Sequence, residues 1–343
     1  MITDTLFLKI YYVIVQCCEY FLNNCEGDIM SILIALIPAL AWGSVGLVTT
    51  KMGGTAAQGT LGMTFGSLVF GLLTLCVFVI PNSGVSFAFN PRIWLVGFVS
   101  GIFWAVGTAG QFVGYKKLGV SIGQPLSTAG QIIGNALLAA IVLGEWQTGH
   151  MWLFGTIAII AVGLGAVLTA LPDSAQPGTA SANHEAKSGA IAILISTLGY
   201  MLYFIFPNLL NKVGYITDHV HNQNKGLDYM TAIVGPQSIG QVLGALVIVI
   251  FFMKEGKTMF EKGTWRNMVT GVVWGLGNVF MFISAANPNV GQAIAATLSQ
   301  TGVIVGTFGA IFLLKEKKTP RQMVYIAIGS VLVVVGAILI AKL

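Results

Sequence analysis

The sequence predicts an all-α integral membrane protein with ten transmembrane helices, arranged as two inverted five-helix repeats. Of its 343 residues, 55% are hydrophobic and only 8% are charged, whereas an average soluble domain carries about 25% charged residues. Apolar runs long enough to cross a bilayer as helices recur along the chain. These runs are continuous rather than alternating, which argues against a β-barrel. The third observation is a set of motifs that occurs twice in the same order.

Ten apolar runs are expected to span the membrane. They lie at about 31–50, 58–80, 93–115, 120–144, 151–171, 189–208, 229–253, 267–286, 290–314 and 323–341. They divide the chain into a first five-helix repeat at 30–171, a linker at 172–188 and a second five-helix repeat at 189–343. The linker, PDSAQPGTASANHEAKS, is rich in Pro, Ser and Ala, which is typical of a flexible connection.

Residues 1–29 form an N-terminal extension that does not fit this pattern. Its apolar run is interrupted by Lys9 and Glu19, so the uncharged part is too short to span a membrane. It also lacks the small-residue cleavage site of a signal peptide. Two interpretations stay open: Met30 is the true initiator and the extension lies upstream of it, or the extension is an amphipathic helix lying on the membrane.

The two halves of the chain share motifs, which indicates an internal repeat. The third and eighth spans both read G-x-x-W-x-x-G, at 101–107 and 271–277. LSTAGQIIG at 126–134 in the fourth span corresponds to LSQTGVIVG at 298–306 in the ninth. Because five is an odd number, the second copy must enter the membrane from the opposite side. Inverted repeats are typical of secondary transporters, whose site lies near mid-membrane; a non-transporting membrane scaffold is the alternative.

The basic residues predict the orientation of the chain. On one face, here named the basic face, the loops and span ends carry twelve of them: Lys51, Lys116, Lys117, Lys187, Lys254, Lys257, Lys262, Arg266, Lys315, Lys317, Lys318 and Arg321. The opposite face carries four: Arg92, Lys212, Lys225 and Lys342. The positive-inside rule makes the basic face cytoplasmic and places both termini outside. The net charge of +5 therefore reports orientation, and no nucleic-acid partner is expected.

Neutral polar side chains supply the mid-membrane polarity, because all acidic residues and histidines lie in loops, at span ends or in the extension. The fourth span carries Gln124, Gln131 and Asn135 at helical spacing, on one stripe. Amides both donate and accept hydrogen bonds, which suits a substrate rich in hydroxyl groups. The expected substrate-binding residues are Trp42, Trp104, Gln111, Gln124, Gln131, Asn135, Tyr203, Gln237, Gln241, Trp274, Asn278 and Gln300.

Each of these residues also has a purely structural interpretation. Amides within spans often bond between helices, each contributing about 0.6 kcal/mol on average, and the tryptophans suit core packing as well as a sugar platform. Tyr200 fits packing better than binding. Glu145 and Glu316 end equivalent spans and are either solvated or candidates for a gating or proton path. With no nucleophile–base set, no metal-ligand spacing and no phosphate loop, neither an enzyme nor a metal or cofactor site is expected.

The motifs resemble those of a known family. PALAWGS in the first span, the G-x-x-W elements and LGE at 143–145 resemble the drug/metabolite transporter superfamily. Over about 30–343 the chain is most similar to its glucose/ribose porter family, the sugar uptake proteins of Gram-positive bacteria. The resemblance implies uptake of glucose or ribose across the bacterial plasma membrane, with a proton as a candidate co-substrate. The residues alone favour facilitated diffusion, and they leave open an exporter of a neutral or amphipathic metabolite and a homodimer.

Overall fold

The computed structural model describes residues 29–171, 180–286 and 298–340, together with positions 290, 295 and 343. Every regular element within these residues is helical, and they contain no strand. The all-α prediction is therefore confirmed for this part of the chain. Most of the predicted N-terminal extension, and residues 172–179 of the predicted linker, lie outside the described residues.

Ten long helices, α1 to α10, make up most of the described chain. They are α1 (Ile29–Met52), α2 (Ala56–Ser83), α3 (Pro91–Leu118), α4 (Val120–Leu143), α5 (Gly149–Ala170), α6 (Ala180–Lys212), α7 (Leu227–Phe252), α8 (Lys262–Ala286), α9 (Leu298–Leu313) and α10 (Pro320–Ile340). Among the described residues, eight helices are long and apolar enough to cross a membrane, namely all of these except α8 and α9. The protein is thus a multi-pass membrane protein, while the count of ten spans stays a prediction.

Local sequence sets the ends of the helices. Thr55 and Gln58 form a capping box at the start of α2, in which each side chain accepts a hydrogen bond from the other residue's backbone N–H. The Asn90 side chain caps α3, whose first residue is a proline. In α7 a turn at Ile233 interrupts the helix, three residues before Pro236, which has no N–H for the preceding turn. α6 begins at Ala180, inside the predicted linker 172–188, because this stretch is rich in the helix former alanine.

The contacts between helices occur in related pairs. A contact between two helices recurs between the helices five positions later in chain order, where the count continues from α10 to α1. α3 packs against α6 and α7, and α8 packs against α1 and α2. α4 packs against α6 as α9 packs against α1, and α4 and α9 also contact each other. α5 and α10 pack together beside this group. Helices α2 and α7 both contain π-helical turns near their C-terminal ends, at Thr74–Val79 and Ile248–Phe252.

Glycines let two of the related pairs approach closely. A Cβ atom added at Gly66 of α2 would overlap the Met268 carbonyl oxygen of α8. A Cβ atom added at Gly240 of α7 would overlap the Phe98 carbonyl oxygen of α3. Small residues at such positions let membrane helices gain van der Waals contact along their backbones. The α2–α8 and α7–α3 contacts therefore both depend on glycine seams.

Hydrogen bonds between connecting segments fall on the two faces that the sequence predicts. On the basic face, Gln58 Nε2 donates to the Thr258 carbonyl (3.0 Å) and Asn267 Nδ2 donates to the Gly53 carbonyl (2.9 Å). On the opposite face, the Arg92 guanidinium donates to the Tyr215 carbonyl (3.1 Å) and stacks on the Tyr215 ring. The connecting segments thus meet in two groups, one on the basic face and one on the opposite face.

Candidate functional site

A cavity of about 510 Å³ lies between α1, α2, α3, α4, α6, α7, α8 and the start of α9. Eleven of the twelve substrate-binding residues predicted from the sequence line it: Trp42, Trp104, Gln111, Gln124, Gln131, Asn135, Tyr203, Gln237, Trp274, Asn278 and Gln300. Its volume lies within the range of small-molecule sites, about 300–1,000 Å³. These eleven residues, from seven helices, thus face one space of the right size for a small ligand.

The wall of this cavity is neutral. Within the part of the chain that the structure describes, its lining includes no Asp, Glu, Lys or Arg. His221 lies at the mouth, and the polar wall otherwise consists of amides, hydroxyls and indoles. The described residues also contain no group of three or more His, Cys, Asp or Glu side chains that could hold a metal ion. A charged ligand would therefore find no fixed countercharge here.

Helix α4 presents its amide stripe to the cavity. Gln124, Gln131 and Asn135 line the wall, while Ser127 lies behind them and is fully buried. The Ser127 hydroxyl accepts hydrogen bonds from Gln131 Nε2 (3.1 Å) and from Gln111 Nε2 of α3 (2.9 Å). Asn135 Oδ1 is buried and has no partner among the described residues. The stripe therefore combines fixed amides with one amide oxygen that lacks a hydrogen bond.

Tyr200 of α6 joins this network, although its sequence context favours packing. Its hydroxyl donates to Gln111 Oε1 (3.1 Å) and lies 3.0 Å from Thr108 Oγ1. Tyr200 also lines the cavity. The side chain is thus both a packing residue and a hydrogen-bonding part of the wall, because its ring lies in the core and its hydroxyl reaches α3.

Two tryptophans meet at the centre of the site. The ring centroids of Trp104 and Trp274 lie 4.8 Å apart, with an angle of 57° between the ring planes. Trp42 Nε1 donates to the Trp274 backbone carbonyl (3.2 Å). Because the rings of Trp104 and Trp274 contact each other, no ligand fits between them. They form one continuous apolar wall, which suits the C–H face of a ring-shaped ligand.

Glycines of the repeated motif make room for aromatic rings on both sides of this wall. A Cβ atom at Gly107 of α3 would lie 2.7 Å from the Tyr200 ring, and one at Gly277 of α8 would overlap the Trp42 indole. Gly107 and Gly277 are the last residues of the two G-x-x-W-x-x-G motifs. The repeated motif therefore builds equivalent aromatic contacts, α3 with α6 and α8 with α1.

The two α7 glutamines have different positions. Gln237 lines the cavity, and its Nε2 donates to Ser100 Oγ of α3 (3.0 Å). Gln241, one turn later, is only 1% exposed, does not line the cavity and accepts a hydrogen bond from Ser67 of α2. Helix spacing placed both on one face, but the contact between α2 and α7 covers the second. Gln241 therefore lies behind the cavity wall in this structure, and its contact with a ligand stays a prediction.

Several residues that line the cavity are not among the twelve substrate-binding residues predicted from the sequence. Tyr115 lies four residues after Gln111 on the same face of α3, and its hydroxyl donates to Gln124 Oε1. Helical spacing alone could have identified it. The mouth of the cavity is lined by Asn208 near the end of α6 and by His221 and Asn222 between α6 and α7. Helical spacing could not have identified them, because they do not belong to the same helix as the amide stripe of α4.

Among the described residues, the cavity lining extends to the opposite face at one end and ends between packed helices at the other. Its mouth reaches the exposed residue Asn222 between α6 and α7, whereas Tyr115 and Gln124 lie at its inner end. Beyond them α1 and α4 are in tight contact, since a Cβ atom at Gly46 would lie 2.7 Å from Val120 Cγ1. The described residues therefore give the cavity an exposed end at Asn222 and a tightly packed end at Tyr115 and Gln124.

Glu316 lies outside the cavity and caps α4. Its carboxylate accepts hydrogen bonds from the backbone N–H groups of Val120 (2.7 Å) and Ser121 (3.3 Å) and from the Ser121 hydroxyl. A carboxylate at a helix N-terminus complements the helix dipole. Lys318 Nζ lies 3.9 Å from Glu316, and burial lowers the pKa of Lys318 while Glu316 opposes that shift. The α9–α10 connection is thereby attached to α4 on the basic face.

Glu145 has a different environment. It is exposed after the end of α4 and does not line the cavity. The end of α4 is instead bound by Lys212, whose ammonium donates to the carbonyls of Val142 (2.7 Å) and Leu143 (2.9 Å). The gating or proton-path role proposed for Glu145 and Glu316 stays a prediction.

These two carboxylates lead to a paired prediction. We expect Glu316→Ala to lower the free energy of unfolding by about 1–2 kcal/mol, since it removes the acceptor of three hydrogen bonds at the start of α4. The matched variant Glu145→Ala is expected to change it by less than about 0.5 kcal/mol, as at other exposed sites. Thermal unfolding in detergent measures both, and equal effects in the two variants would contradict the capping role.

The chain is similar in sequence to known proteins. The family model described as "Sugar transport protein" matches residues 33–343. A "Putative sugar uptake protein" of Lactiplantibacillus plantarum is 44% identical over 309 residues, covering 90% of this chain and 98% of the relative. The "Glucose uptake protein GlcU" of Bacillus subtilis is 37% identical over 309 residues, covering 90% of this chain and 97% of the relative.

One solved crystal structure is similar in fold. It aligns with a TM-score of 0.54, covering 90% of this chain and 96% of that one, at 16% sequence identity. At this identity the similarity concerns the fold alone.

Proposed function

Because the chain belongs to the sugar transport protein family, whose members are transporters and not enzymes, we propose that it takes up one neutral sugar across the plasma membrane. Glucose is the first candidate, since a glucose uptake protein is among the relatives, and ribose is the second. The observation that carries the proposal is the uncharged, amide-lined cavity at the centre of the helices.

The chemistry of the wall selects for hydroxyl groups. A sugar hydroxyl donates one hydrogen bond and accepts others, and the amides of Gln124, Gln131 and Asn278 together offer both kinds of partner. The apolar wall of Trp104 and Trp274 suits the C–H face of a sugar ring. A sugar phosphate would have to leave water without a cationic partner, which is costly. The site therefore fits a free sugar better than a phosphorylated one.

We infer that transport proceeds by alternating access between two five-helix halves, 30–171 and 189–343. The related packing of α3 with α6 and α7, and of α8 with α1 and α2, supports this division. With the basic face in the cytoplasm and both termini outside, the cavity described above opens to the exterior. Movement of the halves would open the Tyr115–Gln124 end and release sugar inside.

We propose that transport is facilitated diffusion, driven by the sugar gradient alone. Proton coupling normally uses an ionisable group in the substrate path, and Glu145 and Glu316 lie away from the cavity. His221 lies at the mouth and not beside the central amides. Net flux would then follow the sugar gradient, which points inward wherever metabolism consumes the sugar.

The test is uptake of labelled glucose and ribose in a bacterial host without sugar transporters of its own, with and without a protonophore. We expect saturable uptake that survives the protonophore. Uptake lost on adding the protonophore would establish proton symport instead and direct attention to Glu145 and Glu316. Absence of uptake of both sugars, with the protein demonstrated in the membrane, would contradict the proposal and favour an exporter of a neutral metabolite.

A further inference from the structure

A chain of hydrogen bonds behind the cavity wall has a defined direction. The single proton of the Tyr200 hydroxyl is donated to Gln111 Oε1 (3.1 Å), so Thr108 must be the donor in its 3.0 Å contact with Tyr200. Gln111 then directs its Nε2 at Ser127 Oγ (2.9 Å). Gln111 thus turns its acceptor end to Tyr200 and its donor end to Ser127, because an amide has distinct donor and acceptor ends.

Ser127 connects this chain to a residue of the cavity wall. Its hydroxyl also accepts from Gln131 Nε2 (3.1 Å), which turns the amide nitrogen of Gln131 towards the helix packing. Gln131 Oε1 has no partner among the described residues and belongs to a side chain that lines the cavity. Ser127 itself is fully buried and does not line the cavity.

Tyr115 acts on Gln124 in the opposite sense. The Tyr115 hydroxyl donates to Gln124 Oε1, so the amide nitrogen of Gln124 is left for the cavity. Gln124 and Gln131 are seven residues apart on α4, which is two turns or about 10 Å of helix. This is about the length of one sugar ring with a hydrogen bond at each end.

We propose that Ser127 and Tyr115 are positioning residues that fix the two glutamine amides in opposite orientations, so that Gln131 offers an acceptor and Gln124 a donor to the sugar. The inference rests on the proposed function and specifies where its site offers the sugar a hydrogen-bond donor and where an acceptor. One sugar hydroxyl must donate to Gln131, and another, about one ring away, must accept from Gln124. The orphaned Asn135 Oδ1 lies one turn beyond Gln131 and extends the acceptor end of the site.

Fluorinated sugars separate the two roles, because fluorine accepts weakly and cannot donate. The experiment measures competition with labelled glucose by analogues in which each hydroxyl in turn is replaced by fluorine or by hydrogen. At the hydroxyl bound by Gln131, we expect both analogues to bind about tenfold more weakly than glucose. At the hydroxyl bound by Gln124, the fluoro analogue should retain affinity while the deoxy analogue loses it.

The positioning role is tested with Ser127→Ala. Loss of the Ser127 hydroxyl lets the Gln131 amide turn, so the preference for hydroxyl over fluorine at the donor position should fall from about tenfold to less than about threefold. The matched control is Ser196→Ala, since Ser196 is equally buried on neighbouring α6 and its hydroxyl has no partner among the described residues. The control should keep the wild-type pattern.

Tyr115→Phe gives an independent measurement, which also covers the case in which Ser127→Ala fails to fold. It frees the Gln124 amide and should abolish the difference between fluoro and deoxy analogues at the acceptor position. Wild-type analogue patterns in folded, glucose-binding Ser127→Ala or Tyr115→Phe protein would overturn the inference and leave the proposed function intact. Absence of any sugar competition in the wild type would overturn the proposed function and the inference with it.

Discussion

Gln131→Ala is expected to abolish saturable sugar uptake while the amount of protein in the membrane stays normal. The change removes a half-buried amide from the cavity wall together with its hydrogen bond to Ser127. A sugar hydroxyl that loses its partner in a site with little water costs about 1–3 kcal/mol, or about 5- to 150-fold in affinity. Uptake kinetics and immunoblots of isolated membranes measure the two quantities separately.

A matched control for this variant is Gln241→Ala. Gln241 is also a buried glutamine, but it bonds Ser67 outside the cavity. We expect it to lower stability and leave the KM for sugar close to the wild-type value. Near-normal uptake by Gln131→Ala would exclude the α4 stripe as the binding surface. A raised KM in folded Gln241→Ala would show that the binding surface extends beyond the cavity described above.

Trp104→Ala should produce the largest loss of stability. The side chain is 1% exposed and packs against Trp274 at 4.8 Å and Tyr200 at 6.4 Å between ring centroids. Removing a buried tryptophan costs about 3–5 kcal/mol, and the resulting space would merge with the sugar cavity. We expect a large fall in the melting temperature in detergent and loss of uptake.

Two further variants separate packing from binding at this position. Trp104→Phe keeps an aromatic ring in the wall and should recover most of the stability, so that its sugar KM can be measured. Trp152→Ala removes a tryptophan that is 43% exposed on α5 and does not line the cavity. Its melting temperature should be close to that of the wild type. A wild-type melting temperature for Trp104→Ala would mean that the central aromatic contact contributes little to the fold.

Much of the site could be predicted from the sequence because helical spacing determines which residues share a face. Gln124, Gln131 and Asn135 share one stripe and do line one cavity. The same spacing could not separate Gln237 from Gln241, because the α2–α7 contact that covers Gln241 depends on a neighbour far away in the chain. For Tyr200 the sequence favours packing, because the sequence of one helix indicates where its ring lies but not which side chain its hydroxyl bonds.

By itself the sequence determined that the protein is a multi-pass helical membrane protein with a neutral interior, since the bilayer demands long apolar runs and excludes unpaired charge. Only the tertiary structure decided which amides line the cavity, which side chains they bond, and that Glu316 caps a helix 196 residues earlier in the chain. The reason is physical. Hydropathy and periodicity are properties of one segment, whereas the direction of a hydrogen bond and the closure of a cavity depend on contacts between helices.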